Sequence, residues 1–190
     1  MLGERERAAI ARLWQRKLEQ DARGLPQAER HRNLEPPSAE FLCALAAGIG
    51  ARRMVDIGGS SGISTIVLAV AARDAGGRLT SIEIEPTRQL ESRELLRSLA
   101  LDDFVEYIRG DAGAVLPQIG EVDLALIDCE KEDYISFFDM LGVSPGGFVV
   151  ADNIISHSLT SYVKHVRQRL HVESVTLPIG KGLELTRFVV

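Results

Sequence analysis

Short apolar runs of strand length alternate with longer segments of helical length from residue 53 onward. The clearest runs are 53–57, which contains Met54, Val55 and Ile57, and 122–127, which reads Val-Asp-Leu-Ala-Leu-Ile. A glycine-rich loop or an acidic residue follows each of them. This alternation predicts an α/β fold, in which a mostly parallel sheet carries helices on both faces.

Seven strands and seven helices follow from the pattern. The predicted strands are 53–57, 79–84, 104–109, 122–127, 148–151, 172–177 and 183–189. The predicted helices are 4–22, about 38–50, 62–74, 86–99, a short one after 112, 132–141 and 158–170. The last two strands are joined by 178–182, which is short enough for a hairpin loop, so we expect an antiparallel hairpin at the C-terminal end of the sheet.

The chain shows no internal repeat or second domain, so we expect residues 1–190 to form a single domain. Within it, 1–35 is an N-terminal helix and loop, and 36–190 is the core. The first helix has an apolar stripe that includes Ile10, Trp14 and Leu18. Pro145-Gly146-Gly147 is expected to turn the chain into the fifth strand.

Composition excludes several classes of protein. The chain has 190 residues, 45% of them hydrophobic and 26% charged, which is ordinary for a globular protein. The net charge of −5 argues against a nucleic acid as main partner, and no apolar run reaches the ~18–20 residues of a membrane span. The charged N-terminus does not resemble a signal peptide, and Cys43 and Cys129 lie far apart. A cytoplasmic enzyme fits best.

Polar features follow five predicted strands at their carboxyl ends. One acidic residue after a strand is usually a helix cap or a turn residue, but five such features on one edge of a sheet indicate a ligand site, because open α/β sheets bind ligands there. The five features are Gly58–Gly62, Glu83, Asp111, Asp128 and Asp152-Asn153.

The glycine loop and Glu83 favour a nucleoside-containing cofactor. Backbone N–H groups at a helix start attract an anion, and a carboxylate at the end of the next strand can accept both hydroxyl hydrogens of a ribose. The spacing Gly58, Gly59, Gly62 differs from G-x-G-x-x-G, which disfavours NAD. Instead, the helix start and Ser64 could hold the carboxylate of a bound amino acid.

The same loop also spells G-x-S-x-G, the nucleophile elbow of α/β-hydrolases. Ser60 would be the nucleophile, with Asp152 and His157 in the required chain order. Against this, the elbow lies on the first strand, and Asp152 and His157 are only five residues apart. A serine hydrolase is therefore a minor alternative, and a non-catalytic module that binds a nucleoside cofactor is another.

Asp128, Asp152 and Asn153 would meet if strands four and five are neighbours. Two carboxylates and a carboxamide suit a hard cation such as Mg²⁺, although a helix cap and a turn would explain the same residues. Lys131 is a candidate general base if its pKa is lowered, but the three neighbouring acids oppose that shift and most such lysines are surface groups.

The ordered set of motifs resembles the cation-dependent O-methyltransferases that use S-adenosylmethionine (SAM), the group that contains catechol and caffeoyl-CoA methyltransferases. The similarity covers about residues 36–190. The stretches that carry it are 55–65 (Val-Asp-Ile-Gly-Gly-Ser-Ser-Gly-Ile-Ser-Thr), 81–86 (Ser-Ile-Glu-Ile-Glu-Pro), 110–112 (Gly-Asp-Ala), 127–134 (Ile-Asp-Cys-Glu-Lys-Glu-Asp-Tyr), 146–154 (Gly-Gly-Phe-Val-Val-Ala-Asp-Asn-Ile) and 178–185 (Pro-Ile-Gly-Lys-Gly-Leu-Glu-Leu).

The resemblance implies a class I methyltransferase-like Rossmann fold and methyl transfer from SAM to an oxygen of a small acceptor. It implies a Mg²⁺ ion, or another divalent cation, held by Asp128, Asp152 and Asn153, with Lys131 as the catalytic base. Glu83 would take the ribose and Asp111 the adenine side. The full set of implied cofactor-binding residues is Asp56, Gly58, Gly59, Ser60, Gly62, Ser64, Glu83, Asp111, Ala112 and Asp128.

Three departures from the family pattern bear on the acceptor, one of which is a segment between Asn153 and the last helix that is shorter than usual in the family. Ile63 stands where many relatives have Tyr, and Glu130 where the catechol enzyme has an aromatic gate. The resemblance suggests a vicinal diol on an aromatic ring as acceptor and, because relatives are often dimers, a homodimer.

Overall fold

A computed structural model of the chain describes residues 1–26 and 29–189. Its helices are α1 Glu4–Ala22, α2 Pro36–Gly48, α3 Ile63–Ala75, α4 Pro86–Ser98, α5 Ala112–Val115, α6 Tyr134–Met140 and α7 Thr160–Arg167. Its strands are β1 Arg53–Ile57, β2 Arg78–Glu83, β3 Val105–Arg109, β4 Val122–Ile127, β5 Val143–Ala151, β6 Val172–Leu177 and β7 Leu183–Phe188. Single turns of 3₁₀ helix cover Asp102–Phe104, Leu116–Gln118 and Lys131–Asp133.

The strands form one seven-stranded sheet in the order β3-β2-β1-β4-β5-β7-β6. The pairs from β3 to β5 are parallel, and β7 runs antiparallel to both β5 and β6. Strand order reverses between β1 and β4, so the carboxyl ends of these two strands border the crevice where such sheets bind ligands. The predicted fold is confirmed, including the terminal antiparallel hairpin.

Two apolar layers cover the two faces of the sheet, because successive side chains of a strand point to opposite faces. Met54 of β1 and Leu124 of β4 belong to the layer that α2 and α3 cover. Val55 and Ala125, one residue further along, belong to the layer that contains Phe138 of α6. Most of α3 is buried on all sides, because α2 packs over it and the sheet lies beneath it.

Three element boundaries differ from the predicted ones for local reasons. β5 begins at Val143 rather than 148, because the register shifts between Val122 and Leu124 and the Pro-Gly-Gly segment lies inside this irregular strand rather than in a turn. α2 begins at Pro36, which suits the first helical turn, so Ser38 is inside the helix. α7 begins at Thr160 rather than 158, since Ser158 has a left-handed φ of 51° that a helix cannot include, and it ends at Arg167 rather than 170.

Within the residues that the structure describes, no helix is long and apolar enough to cross a membrane.

Candidate active site

The loop between β1 and α3 is fastened to both neighbouring strands. Gly58 N donates to the carbonyl oxygen of Ile82 at 2.9 Å, and Asp128 N donates to that of Ile57 at 3.0 Å. Gly58 has a φ of +93°, and a Cβ there would collide with the carbonyl oxygen of Asp128. Only glycine therefore lets β1 turn towards α3 while lying against the end of β4.

Glu83 is held at the end of β2 by two backbone donors. Its Oε2 accepts from Ser60 N at 2.8 Å and its Oε1 from Glu85 N at 2.9 Å. Ser60 itself adopts a left-handed φ of 47°. The carboxylate is buried but reaches the adjoining cavity, and each of its oxygens keeps a second lone pair for a ligand hydroxyl.

Asp56 lies behind this loop, in the interior. Its Oδ2 accepts from Ser64 Oγ at 2.9 Å and from Thr65 Oγ1 at 2.8 Å, while its Oδ1 is buried without a partner. Burial raises the pKa of Asp56 to about 7. The side chains of Asp56 and Ser64 thus bond to each other and join β1 to the first turn of α3.

A cavity that we call the loop cavity opens beside Gly58 and Glu83. Six predicted cofactor residues line it: Gly58, Ser60, Glu83, Asp111, Ala112 and Asp128. The other four lie outside this lining: Gly59 and Gly62 belong to the loop itself, and Asp56 and Ser64 bond to each other behind it. The cofactor roles of all ten stay predictions. Asp111 also caps α5 by accepting from Gly113 N at 2.8 Å, so its helix-cap interpretation holds as well.

A second cavity of about 340 Å³, the polar cavity, adjoins the first. Asp128, Lys131, Asp152, Asn153 and His157 contribute to its lining, and Asp128 also lines the loop cavity. β4 and β5 are neighbours, and Asn153 Nδ2 donates to Asp128 Oδ1 at 2.9 Å. The carboxylates of Asp128 and Asp152 therefore face one cavity.

Burial dominates the electrostatics of the two acids. It raises the pKa of Asp128, against the opposing effect of Lys131 and Arg32. It raises the pKa of Asp152 to about 7, and the neighbouring Asp128 contributes to this rise. Asp152 Oδ1 is buried without a hydrogen-bond partner. Two carboxylates kept close together inside the protein need a positive charge or a proton to offset their repulsion.

Lys131 is one source of that positive charge. Its Nζ lies 3.5 Å from Asp128 Oδ1 and donates to Cys129 O and to Tyr134 Oη, each at 2.8 Å. The fully buried Tyr134 in turn donates to Asp152 O at 3.2 Å. The ammonium is thus positioned by Tyr134, which belongs to the 127–134 motif but to which the sequence analysis assigned no role of its own.

Arg32 is a second residue that sequence reasoning missed. It belongs to the loop between α1 and α2, lines both cavities and forms an ion pair with Glu130. This hydrogen bond holds the pKa of Glu130 below its ordinary value. The pair connects parts of the chain 98 residues apart, and no local pattern predicts such a contact. Ile84 and Phe137 add apolar surface to the loop cavity.

The serine-hydrolase alternative lacks its central contact. Ser60 Oγ accepts from the backbone N–H of Arg32 at 3.2 Å, and His157 Nδ1 is bonded to Ser156 Oγ at 2.9 Å. The serine and the histidine that the alternative needs are therefore each engaged with another group, and the geometry does not favour a triad.

A zinc-like site is also not indicated. In residues 1–26 and 29–189, no three His, Cys, Asp or Glu side chains gather into a metal-binding group. The predicted set is of a different kind, since it combines two carboxylates with the carboxamide of Asn153 and is suited to a hard cation.

The fold and the two cavities define a class I methyltransferase architecture, and comparison with known proteins agrees. The chain belongs to the family described as "Protein of unknown function (DUF1442)", whose model matches residues 28–189. A catechol O-methyltransferase of Mycobacterium tuberculosis is 37% identical over 122 residues, which are 61% of this chain and 54% of that relative. The chain therefore spans about half the length of this curated relative.

Solved structures show the same fold over nearly the whole chain. Cofactor-bound Rv0187 from MTB superposes with a TM-score of 0.81 at 25% identity and covers 98% of this chain and 90% of its own. The O-methyltransferase TomG from Streptomyces achromogenes, in complex with SAM, has a TM-score of 0.81 at 22% identity and covers 100% of this chain and 92% of its own. The resemblance to SAM-dependent O-methyltransferases is confirmed.

Proposed function

We propose that the protein is a SAM-dependent, divalent-metal-assisted O-methyltransferase that acts on a small hydroxylated molecule, with a catechol-type diol as the model acceptor. One observation carries the proposal: Asp128 lies between a cavity suited to a nucleoside and a polar cavity that contains Asp152, Asn153 and Lys131. A two-substrate transfer requires such adjacent cavities, because donor and acceptor must be held in contact. The similarity to catechol O-methyltransferases supports the same activity.

The loop cavity matches the parts of SAM. Glu83 offers carboxylate oxygens to ribose hydroxyls, and Ile84 and Phe137 offer apolar surface to a flat base. Gly58 lets the loop lie directly against the carbonyl oxygen of Asp128, where a Cβ would collide. When bound, SAM supplies an electrophilic methyl group. The residues of the loop position it.

The polar cavity fits a divalent cation. Asp152 Oδ1 is a buried carboxylate oxygen without a partner, and Asp128 Oδ1 lies beside the carboxamide of Asn153. Oxygen ligands of this kind suit Mg²⁺ or a similar ion, and Asp128, Asp152 and Asn153 would hold it. When bound, such an ion lowers the pKa of a coordinated hydroxyl.

Lys131 is the proposed general base. A phenolic hydroxyl has a pKa of ~10, so it is a poor nucleophile at neutral pH until a base takes its proton. Lys131 Nζ lines the polar cavity and is held there by Cys129 O and Tyr134 Oη. Its proposed role is to take the proton of an acceptor hydroxyl held in this cavity.

Substitution of one proposed metal ligand, Asp152, and of the proposed base, Lys131, tests the proposal. With SAM, Mg²⁺ and 1,2-dihydroxybenzene, we expect Asp152→Ala to remove Mg²⁺-stimulated methyl transfer, and Lys131→Met to lower kcat by about 100-fold or more. The exposed Lys164→Met is the control and should keep full turnover. Calorimetry with SAM should show that Asp152→Ala and Lys131→Met still bind the cofactor, since neither side chain belongs to the loop between β1 and α3.

Three results would contradict the proposal. Full Mg²⁺-stimulated activity in Asp152→Ala would exclude the metal assignment, and unchanged kcat in Lys131→Met at neutral pH would exclude the base. SAM binding without turnover on any hydroxylated acceptor would instead support the non-catalytic binding module. The predicted homodimer and cytoplasmic location remain predictions.

A further inference from the structure

The polar cavity has a second wall, opposite in charge to its acidic centre. Three cations form it, and we call them the basic wall: Lys17 of α1, Arg30 of the following loop and Lys181 of the β6–β7 loop. Lys181 lies in the closing-hairpin motif of the cation-dependent methyltransferases, whereas Lys17 and Arg30 belong to none of the family's motifs. The N-terminal segment therefore supplies two of the three groups.

The basic wall has too few carboxylates for its charge. Lys17 Nζ lies 2.5 Å from Asp21 Oδ2, and Arg30 Nη1 lies 3.0 Å from Asp21 Oδ1, so one carboxylate serves two cations. Lys181 Nζ lies 3.9 Å from Glu35 Oε1, at the outer limit of an ion pair. A surplus of positive charge consequently remains at the cavity surface.

Lys17 is the most shielded of the three. Its side chain is only 12% exposed, and its Nζ lies 4.9 Å from the centre of the Trp14 ring. A cation that is largely removed from water gains more from a nearby anion than an exposed one does. The position of Lys17 therefore favours an anionic occupant of the cavity.

The charge of the whole cavity points the same way. Five Lys and Arg side chains and three carboxylates line it. Arg32 has its partner in Glu130, outside this lining, so the other four cations exceed the three carboxylates by one positive charge, and a divalent cation would increase this excess. Among the described residues that line it there is no Phe, Tyr or Trp. A neutral aromatic ring would find no aromatic partner there, whereas an oxyanion would find several donors.

We propose that the acceptor carries an anionic oxygen group, a carboxylate or a phosphate, which the basic wall binds while the acceptor's hydroxyl lies beside Lys131. This substrate class rests on the proposed function, and it makes the basic wall the determinant of acceptor specificity. The group binds through the N–H donors of Lys17 and Arg30, with Asp21 keeping both side chains in place.

A charge series on one ring tests this. The probes are 3,4-dihydroxyphenylphosphonate, 3,4-dihydroxybenzoate, 1,2-dihydroxybenzene and 3,4-dihydroxybenzylamine. At neutral pH the phosphonate is a mixture of mono- and dianion, the benzoate is singly anionic, the diol is neutral and the amine is cationic. Calorimetry measures their binding to the full chain with S-adenosylhomocysteine and Mg²⁺, where no turnover occurs. We expect the anionic probes to bind at least about tenfold more tightly than the neutral diol, and the cationic one most weakly. Whether the phosphonate or the benzoate binds more tightly distinguishes a phosphate group from a carboxylate group on the acceptor.

Variants assign the preference to the basic wall. Lys17→Met keeps an unbranched side chain of similar length but removes the cation, and we expect it to weaken binding of 3,4-dihydroxybenzoate by roughly tenfold while 1,2-dihydroxybenzene changes by less than about twofold. Lys17→Arg should retain most of the affinity. Arg12→Gln removes an exposed cation from the same helix and should change neither probe.

Binding and turnover separate this inference from the proposed function. Equal affinity across the series, no saturable binding of 3,4-dihydroxybenzoate, or equal losses for both probes in Lys17→Met would overturn the anionic acceptor, even if SAM-dependent methylation is observed. Selective binding of the anionic probes without methyl transfer from SAM would support the basic wall and overturn the proposed function.

Discussion

Asp56 is a fully buried carboxylic acid whose protonation is coupled to folding. Burial raises its pKa to about 7 despite the hydrogen bonds from Thr65 and Ser64, whereas the unfolded chain has a value near ~3.9. Between these two values the folded state keeps a proton that the unfolded state has lost. Stability contributed at this position is therefore present at low pH and is lost as the pH rises through this window.

Replacement of Asp56 by Asn removes this titration. We expect the stability of the native protein, measured relative to Asp56→Asn, to fall by roughly 2 kcal/mol between about pH 5 and about pH 7.5. Urea unfolding of both proteins at several pH values measures the difference. Parallel curves for the two proteins would show that Asp56 does not titrate in this range.

Asp123 provides a control with the opposite sign. Burial pushes its pKa upward, but hydrogen bonds from the backbone N–H groups of Arg52 and Arg53, each at 2.9 Å, hold the pKa below its ordinary value. Its contribution is present above the unfolded value of ~3.9 and is lost only as the pH falls below it. Asp123→Asn should therefore change the free energy of unfolding by a constant amount over the same pH range.

Contacts between side chains were the least predictable feature at this scale. The sequence singled out Lys131 but left open whether it is a base or a surface group. Its position depends on Tyr134, which is reached through a 3₁₀ turn where a regular helix was expected. Periodicity reports which face of an element is apolar, but it does not report which polar atom of a buried residue meets another.

The β1–α3 loop is the element on which the loop cavity depends. Gly58→Ala combines a φ of +93° with a collision against Asp128 O. We expect it to weaken SAM binding by more than about tenfold and to lower the free energy of unfolding by about 2 kcal/mol or more. Calorimetric titration with SAM and urea unfolding measure the two effects.

Gly50→Ala separates backbone strain from the collision. Gly50 also has a positive φ, +63°, but an added Cβ meets nothing within 4 Å. This variant should lose only about 1 kcal/mol of stability and keep the SAM affinity of the native protein. If Gly58→Ala behaves like Gly50→Ala, the close approach of the loop to β4 does not matter for the cofactor.

Elements with strong apolar runs were predicted well, and those with irregular geometry were not. β1 and β4 have the predicted bounds, because each is a buried run that ends at a glycine or an acid. β5 is longer than predicted, because Pro145 and two glycines normally mark a turn and only pairing with β4 keeps them within the strand. Tertiary pairing overrode local preference there.

At the scale of the whole molecule, cofactor binding should stabilise the fold. A ligand that binds only the folded state at about 100 times its Kd adds ~2.7 kcal/mol, which raises Tm by roughly 5–10 °C for a chain of this size. We expect this rise with SAM and none with NAD, measured by differential scanning calorimetry. A rise with NAD alone would instead support a dehydrogenase.

The sequence by itself determined the order of the strands along the chain and the polar residues at their ends. Since parallel strands bring their carboxyl ends to one edge, Glu83, Asp128 and Asp152 could be assigned to a common site from the sequence. Only the tertiary structure decided that Arg32 meets Glu130 and that Lys17, Arg30 and Lys181 face the acidic centre. These residues lie in loops or on a distant helix. Their contacts depend on how that helix packs on the core, and no local sequence periodicity predicts this packing.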